Sequence, residues 1–219
     1  MQFDPDLFSP VLLMTCAVAS LLMLLLAAVF APWRAFRAVP VRQHALFAAL
    51  VVLALLWSFR YEVVPGLHAH PYLVMTCTLI FGWSLSLLVG ALALALVVVT
   101  GGLPWLAVPL DWLLSVVLPA SLAFGLMQAL YWLRLRNLFF YILGLGFFGT
   151  IAVTFVTCCV IALFLWSTQT DPFMEQFWER SAFVVPLLYS EGFLNGLLVT
   201  AITVFVPDLV KTFDEHYFR

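Results

Sequence analysis

Charge is what this sequence has least of. Only 9% of its 219 residues are Asp, Glu, Lys or Arg, against about 25% in an ordinary soluble domain. There is a single lysine, Lys211, with no glycines before it, so no phosphate-binding loop exists and any ATP must be hydrolysed by another chain. No Lys or Arg precedes Arg34, which is unlike the basic start of a secretory signal. No run of basic residues is long enough to follow a phosphate backbone, which excludes nucleic acid as a partner. The cysteines Cys16, Cys77, Cys158 and Cys159 form no C-x-x-C pair and lie in apolar segments, where they read as small packing groups. From residue 63 to residue 110 there is no Asp, Glu, Lys or Arg at all.

What is present is apolar mass. Hydrophobic residues make up 65% of the chain, and at roughly 20 residues per transmembrane helix they supply at most about seven spans. The reading is an all-α polytopic membrane bundle: one integral-membrane, permease-like domain over residues 1–219, embedded in lipid. Spans are expected over residues 8–31, 44–64, 105–133, 138–166 and 183–206, with residues 71–99 between them. Lys and Arg gather on the cytoplasmic side, so the basic loop with Arg34, Arg37 and Arg42, the turn with Arg134 and Arg136, and the carboxyl tail belong inside. The amino terminus and the acidic loop with Asp171, Glu175 and Glu179 then belong outside. Parity requires residues 71–99 to cross twice or not at all. As one helix they rise about 43 Å, too short for two full spans, so two short elements hinged at Gly82 are expected, giving seven spans with six as the alternative. Interrupted segments of this kind often border a binding site in transporters.

Few polar groups remain at membrane depth, and such groups are functional candidates by default. His68 and His70 stand at the mouth of the uncharged stretch, and neutral imidazole is a common ligand for transition metals. His44 reads as interfacial and His216 as solvated. Asp111 begins a span after two prolines, either satisfying backbone groups or facing a polar cavity. Glu191 and Asn195 are spaced i, i+4 and share one helix face with Gly192 and Gly196, a small-residue face suited to helix contact. Gly144, Gly146 and Gly149 spell a dinucleotide fingerprint, but inside an apolar run they serve close helix packing instead. Arg60 and Glu62 close a span and snorkel. The Met14-Thr15-Cys16 and Met75-Thr76-Cys77 repeat contains soft ligand types suited to Cu⁺. No nucleophile and base pair up, so an enzyme is not expected.

Gly66-Leu67-His68-Ala69-His70, then Gly82-Trp83, an apolar span and Gly101-Gly102-Leu103 resemble the cobalt/nickel permeases of energy-coupling-factor (ECF) transporters, a class of ABC transporter. The span containing Glu191-Gly192-Phe193-Leu194-Asn195-Gly196 is similar to the last helix of that family. The likeness runs over residues 65–206, and a Thr212-Phe213-Asp214 tail points to a sub-branch known only as permease-like. The resemblance implies a seven-helix subunit of the bacterial cytoplasmic membrane that captures a divalent ion, Co²⁺ or Ni²⁺, from outside. A coupling membrane subunit and ATPase subunits would drive transport in trans. It makes His70 a metal ligand and brings in the Met1 amine, with His68 and Asp111 as further candidates. Glu191 and Asn195 would line or brace the cavity. The family carries a second ligand histidine at position two, where this chain has Gln2. That departure leaves a second expectation open, a membrane interaction or assembly protein that kept the fold without transport. A copper-handling protein is the third.

Overall fold

The computed structural model describes residues 1–133 and 137–206. The basic turn at residues 134–136 and the tail with Lys211, Thr212, His216 and Arg219 lie outside the described residues. Among the described residues, five helices are long and apolar enough to cross a bilayer: Pro10–Phe30, Pro40–Ser58, Val108–Trp132, Phe140–Thr168 and Ser181–Phe205. The first two are α1 and α3, with the short basic α2 (Trp33–Ala38) between them. α4 (Val74–Phe81) and α5 (Trp83–Val99) are separated by Gly82 alone, as the sequence leads one to expect. α6 (Val108–Trp112) runs through a π-helical turn into α7 (Leu118–Trp132). The remaining helices are α8 (Thr150–Thr168), preceded by a π-helical stretch over Phe140–Gly149, then α9 (Asp171–Glu179) and α10 (Val184–Phe205).

Three short strands, absent from the sequence reading, form one antiparallel sheet: β1 (Gln2–Phe3), β2 (Tyr61–Val64) and β3 (Leu67–Ala69), in the order β1-β3-β2. The span expected over residues 44–64 therefore stops at Ser58. Two features turn the chain there. Val63 and Val64 are β-branched, and Pro65-Gly66 supplies the fixed φ and the positive φ (83°) of a tight turn. The sheet marks one end of the bundle and α2 marks the other. Gln169, after α8, donates to the Leu7 carbonyl at 3.0 Å, and Arg180, after α9, donates to the Val63 carbonyl at 3.0 Å, so both sit at the sheet end. Phe81 shares a small cleft with Phe36 and Arg42 and so reaches the α2 end. Trp83–Val99 adds a shorter apolar helix to the five long ones.

The α4 pass is unlike the others. Eight helical residues rise about 12 Å, so an extended approach over residues 71–73 covers part of the distance before α4 begins. All eight α4 residues are buried, with α3, α5, α7 and α10 around them. At its far end Gly82 adopts φ 82°, ψ 171°, a conformation open essentially only to glycine, and the backbone reverses into α5. α1 is the opposite case: Val11, Met14 and Val29 are each more than 70% exposed, and Ala27 is the one α1 residue that is fully buried. An apolar helix bare on most of its surface is one that faces lipid acyl chains.

Candidate functional site

The amino-terminal strand is drawn into the sheet end and buried there. Gln2 pairs with His68 and Phe3 with Leu67 across β1 and β3. Met1 is 1% exposed; its amine donates to Ser115 Oγ at 2.7 Å, and Ser115 Oγ donates back to the Met1 carbonyl at 2.6 Å. Ser115 lies in the π-helical turn Leu113–Val117. Pro119 accounts for that turn, because it has no N–H for the carbonyl four residues back, which is that of Ser115 itself. Asp111 Oδ1 accepts from the Phe3 N–H at 2.9 Å, while its buried Oδ2 has no hydrogen-bond partner. Of the two roles open to Asp111 from sequence, holding backbone is realised, though the backbone held is that of β1.

His70 follows β3 directly and is 2% exposed. Its ring packs between Trp57 (centroids 5.5 Å) and Tyr72 (5.7 Å). Nδ1 lies 3.0 Å from the Pro71 carbonyl. A carbonyl only accepts, so Nδ1 carries the proton and Nε2 presents its lone pair; Nε2 is buried and without a hydrogen-bond partner. Burial holds the His70 pKa well below 6.5, helped by the nearby amino-terminal charge and opposed by the Pro71 and Met1 carbonyls. Burial likewise lowers the Met1 amine from 8.0 to about 5, against the pull of Asp111. Both nitrogens are therefore unprotonated Lewis bases at neutral pH.

Gln2 is engaged elsewhere. Its amide donates to the Trp57 carbonyl at 3.0 Å, and its oxygen accepts from Arg60 at 3.3 Å. Arg60 thus reaches back to β1 where snorkelling was expected. His68 is half-buried in β3 opposite Glu62, apart from the enclosed His70. Burial lowers its pKa, with Arg60 adding to the shift and Glu62 opposing it. Among the described residues, no three His, Cys, Asp or Glu side chains come together as a metal-binding group.

Beneath His70 the interrupted pass is held by α10. The Glu191 carboxylate accepts from the Tyr72 N–H and, at 3.2 Å, from the Leu73 N–H. Asn195 Oδ1 accepts from the Thr76 N–H at 3.0 Å and from Thr76 Oγ1 at 2.6 Å. Asn195 Nδ2 then donates to Glu191 at 2.9 Å, tying the pair together. These are the free donors at the start of α4, where Leu73 adopts φ 53° and supplies no side-chain cap. In a bilayer such donors have no water to turn to. Glu191 and Asn195 therefore brace the broken pass.

The glycines beside them allow the approach. A Cβ on Gly192 would come within 2.6 Å of Ile151, and one on Gly196 within 3.2 Å of Phe147, so α10 packs on α8 and on the π-helical stretch before it. Met14 points outward at 72% exposure while Met75 is 3% exposed in the interior, so the soft-ligand repeat is split between surface and core. All four thiols are free, and Cys159 is exposed where packing was expected. Sequence reasoning missed Ser115, a hydroxyl among apolar helix residues with nothing to mark it. It also missed Tyr72, whose contribution is a backbone N–H, and Thr76, which donates through both its N–H and its hydroxyl.

Fold and site together define a polytopic helical membrane protein with one interrupted pass and a buried histidine at its mouth. The model of the CbiM family, described as the cobalt uptake substrate-specific transmembrane region, matches residues 4–209, and the chain belongs to that family. A crystal structure of a transition metal transporter superposes with a TM-score of 0.69 over 93% of this chain and 93% of that one. At 14% identity the likeness is one of fold. No curated protein matches the chain.

Proposed function

We propose that this protein is the substrate-capturing membrane subunit of a transition-metal uptake transporter. The observation that carries the reading is His70: a buried imidazole beside the amino-terminal strand whose Nε2 has no partner. A buried polar atom left unpaired costs about 1–3 kcal/mol, which a ligand there would recover. The ion, Co²⁺ or Ni²⁺ in keeping with the family, is cargo. Met1, Asp111 and His68 are the remaining protein donors near the sheet end. The basic loop with Arg34, Arg37 and Arg42 lies at the opposite end, which supports a sheet end facing outward. Energy comes from ATPase and coupling subunits in trans, since the chain has no nucleotide-binding loop of its own.

The test is calorimetric titration of purified protein with Co²⁺, Ni²⁺, Zn²⁺ and Cu⁺, beside His70→Ala. Loss of binding by at least about tenfold in the variant is expected; equal binding removes His70 from the site. A second reading is favoured by the Gln2 side chain, fully engaged with Trp57 and Arg60: a membrane assembly protein that retains the fold. Co-purification separates the two. Recovery of a nucleotide-binding subunit supports transport, and recovery of an unrelated membrane enzyme supports the assembly role.

A further inference from the structure

Two arginines at the sheet end stand where a span meets the membrane surface. Arg60 follows the span Pro40–Ser58 by two residues, and Arg180 immediately precedes the span Ser181–Phe205. Both line an open cleft of about 1010 Å³ between the end of α3 with β2 and the start of α10. No Asp or Glu among the described residues lines that cleft. Each guanidinium meets one neutral acceptor, the Gln2 amide oxygen for Arg60 and the Val63 carbonyl for Arg180. Neither forms an ion pair among the described residues, so most of their N–H donors are left to solvent or to a ligand. Much of the remaining wall is apolar, with Phe59, Phe183, Pro186 and Leu187 in it.

A second recess continues the same seam deeper in the bundle. It has a volume of about 320 Å³, runs between α3 and α10, and has α4 behind it. Ala45, Ala48, Ala49 and Val52 supply one wall, and Leu198 and Ile202 the other. The alanines make the space, because a methyl group does not close the gap to α10. At 1.5 Å per residue, Ala45–Val52 lies roughly 9–20 Å along the helix from Ser58, and Leu198–Ile202 roughly 12–18 Å from Ser190. Half of a hydrocarbon core is about 15 Å thick. The apolar recess therefore sits at the depth of an acyl chain whose headgroup occupies the cleft.

Charge selects the head. Guanidinium forks match phosphate oxygens bidentately, and a cleft without acids offers no partner to the ammonium of a zwitterionic lipid. We infer that the seam between α3 and α10 is a binding site for one anionic phospholipid. Arg60 and Arg180 hold its phosphate, and one acyl chain lies in the alanine-walled recess beside α4. A free phosphate has no use for the recess, and an uncharged hydrocarbon has none for the arginines. The lipid adds apolar contact to the flank of the interrupted pass, where α3 and α10 stand apart. The inference does not depend on the metal-uptake reading.

The test uses the full chain, delipidated in dodecylmaltoside, with melting temperature and native mass spectrometry as readouts. The probes are dioleoylphosphatidylglycerol, dioleoylphosphatidylcholine, glycerophosphoglycerol and inorganic phosphate. Phosphatidylglycerol is expected to raise the melting temperature saturably, with one molecule retained per protein. Its half-saturation should lie at least about tenfold below that of phosphatidylcholine, and Arg60→Gln and Arg180→Gln should each weaken it by about tenfold. Ala48→Phe fills the recess from its exposed rim and leaves both arginines in place; it should weaken phosphatidylglycerol to a similar degree. Arg180 also anchors β2, so if Arg180→Gln folds poorly, Arg60→Gln, Ala48→Phe and the wild-type lipid series decide. An equal response to phosphatidylcholine overturns the inference. So does an equal response to phosphate or glycerophosphoglycerol, which would make the cleft a site for a free anion. The double variant Arg34→Gln, Arg37→Gln, at the opposite end, should behave as wild type. A loss there as large as that of Arg60→Gln would reduce the effect to general surface charge and also overturn the inference.

Discussion

At the scale of single residues, polar side chains in this protein serve backbone more than they serve each other. Glu191 and Asn195 accept from three backbone N–H groups of the α4 entrance, and Asp111 accepts from a fourth in β1. Glu191→Ala strands two buried donors, each costing about 1–3 kcal/mol, so a loss of about 2–6 kcal/mol is expected in reversible unfolding from mixed micelles. Glu191→Gln keeps one acceptor and should lose less. Burial also sets a pH dependence. An unfolded chain returns the Met1 amine to 8.0 and His70 to 6.5, whereas both lie lower when folded. The unfolded state therefore takes up protons first as pH falls. The stability gained from keeping these nitrogens neutral is complete above about pH 8 and lost progressively toward pH 5. Relative to His70→Gln, the wild-type melting temperature in detergent should fall as pH drops below 6.5. Metal affinity follows a different course: the folded nitrogens are already unprotonated, so it should change little between pH 8 and pH 6.

At the scale of elements, the helix breaks are where sequence was most and least informative. Gly82 stood out because a charge-free stretch too long for one span and too short for two had to turn, and a glycine marks where. The turn at Pro65-Gly66 was equally plain as punctuation, yet the strands on either side were not, because two to four residues are too few to show a period of two. Ser115 and the π-helical turn around it follow from Pro119 once the structure is known, but a proline after a serine has no unique reading. The pairing of Glu191 with residues 72 and 73 was hidden for a different reason: a backbone N–H has no letter in a sequence. Two substitutions test the breaks. Gly82→Ala places a side chain in a glycine-only conformation and should cost about 1–3 kcal/mol. Gly90→Ala would set a Cβ within 2.5 Å of Val116, where α5 crosses the π-helical turn. The β-branched neighbour has little room to give, so a similar loss of about 1–3 kcal/mol is expected. Unchanged unfolding midpoints would show that both helices shift freely.

At the scale of the whole molecule, the architecture divides labour between its two ends. The sheet end gathers the amino terminus, His70 and the arginine-lined cleft, while the α2 end carries Arg34 and Arg37 on an exposed helix. Cysteines introduced one at a time, at Glu62 and at Ala38, report the orientation. In intact cells a membrane-impermeant maleimide should modify the Glu62→Cys protein and should reach the Ala38→Cys protein only after permeabilisation. The reverse pattern would turn the protein over and place the cleft on the cytoplasmic side. Composition was enough to frame a polytopic helical bundle, since a bilayer dictates span length. It left the cargo open because the relevant geometry joins residues more than a hundred positions apart.

That separation has a consequence for how the protein is made. The donors of the α4 entrance lie 118 and 119 residues ahead of the acceptors that satisfy them. A ribosome delivers α10 after every other described helix, so the α4 entrance is made before the side chains that satisfy its N–H groups.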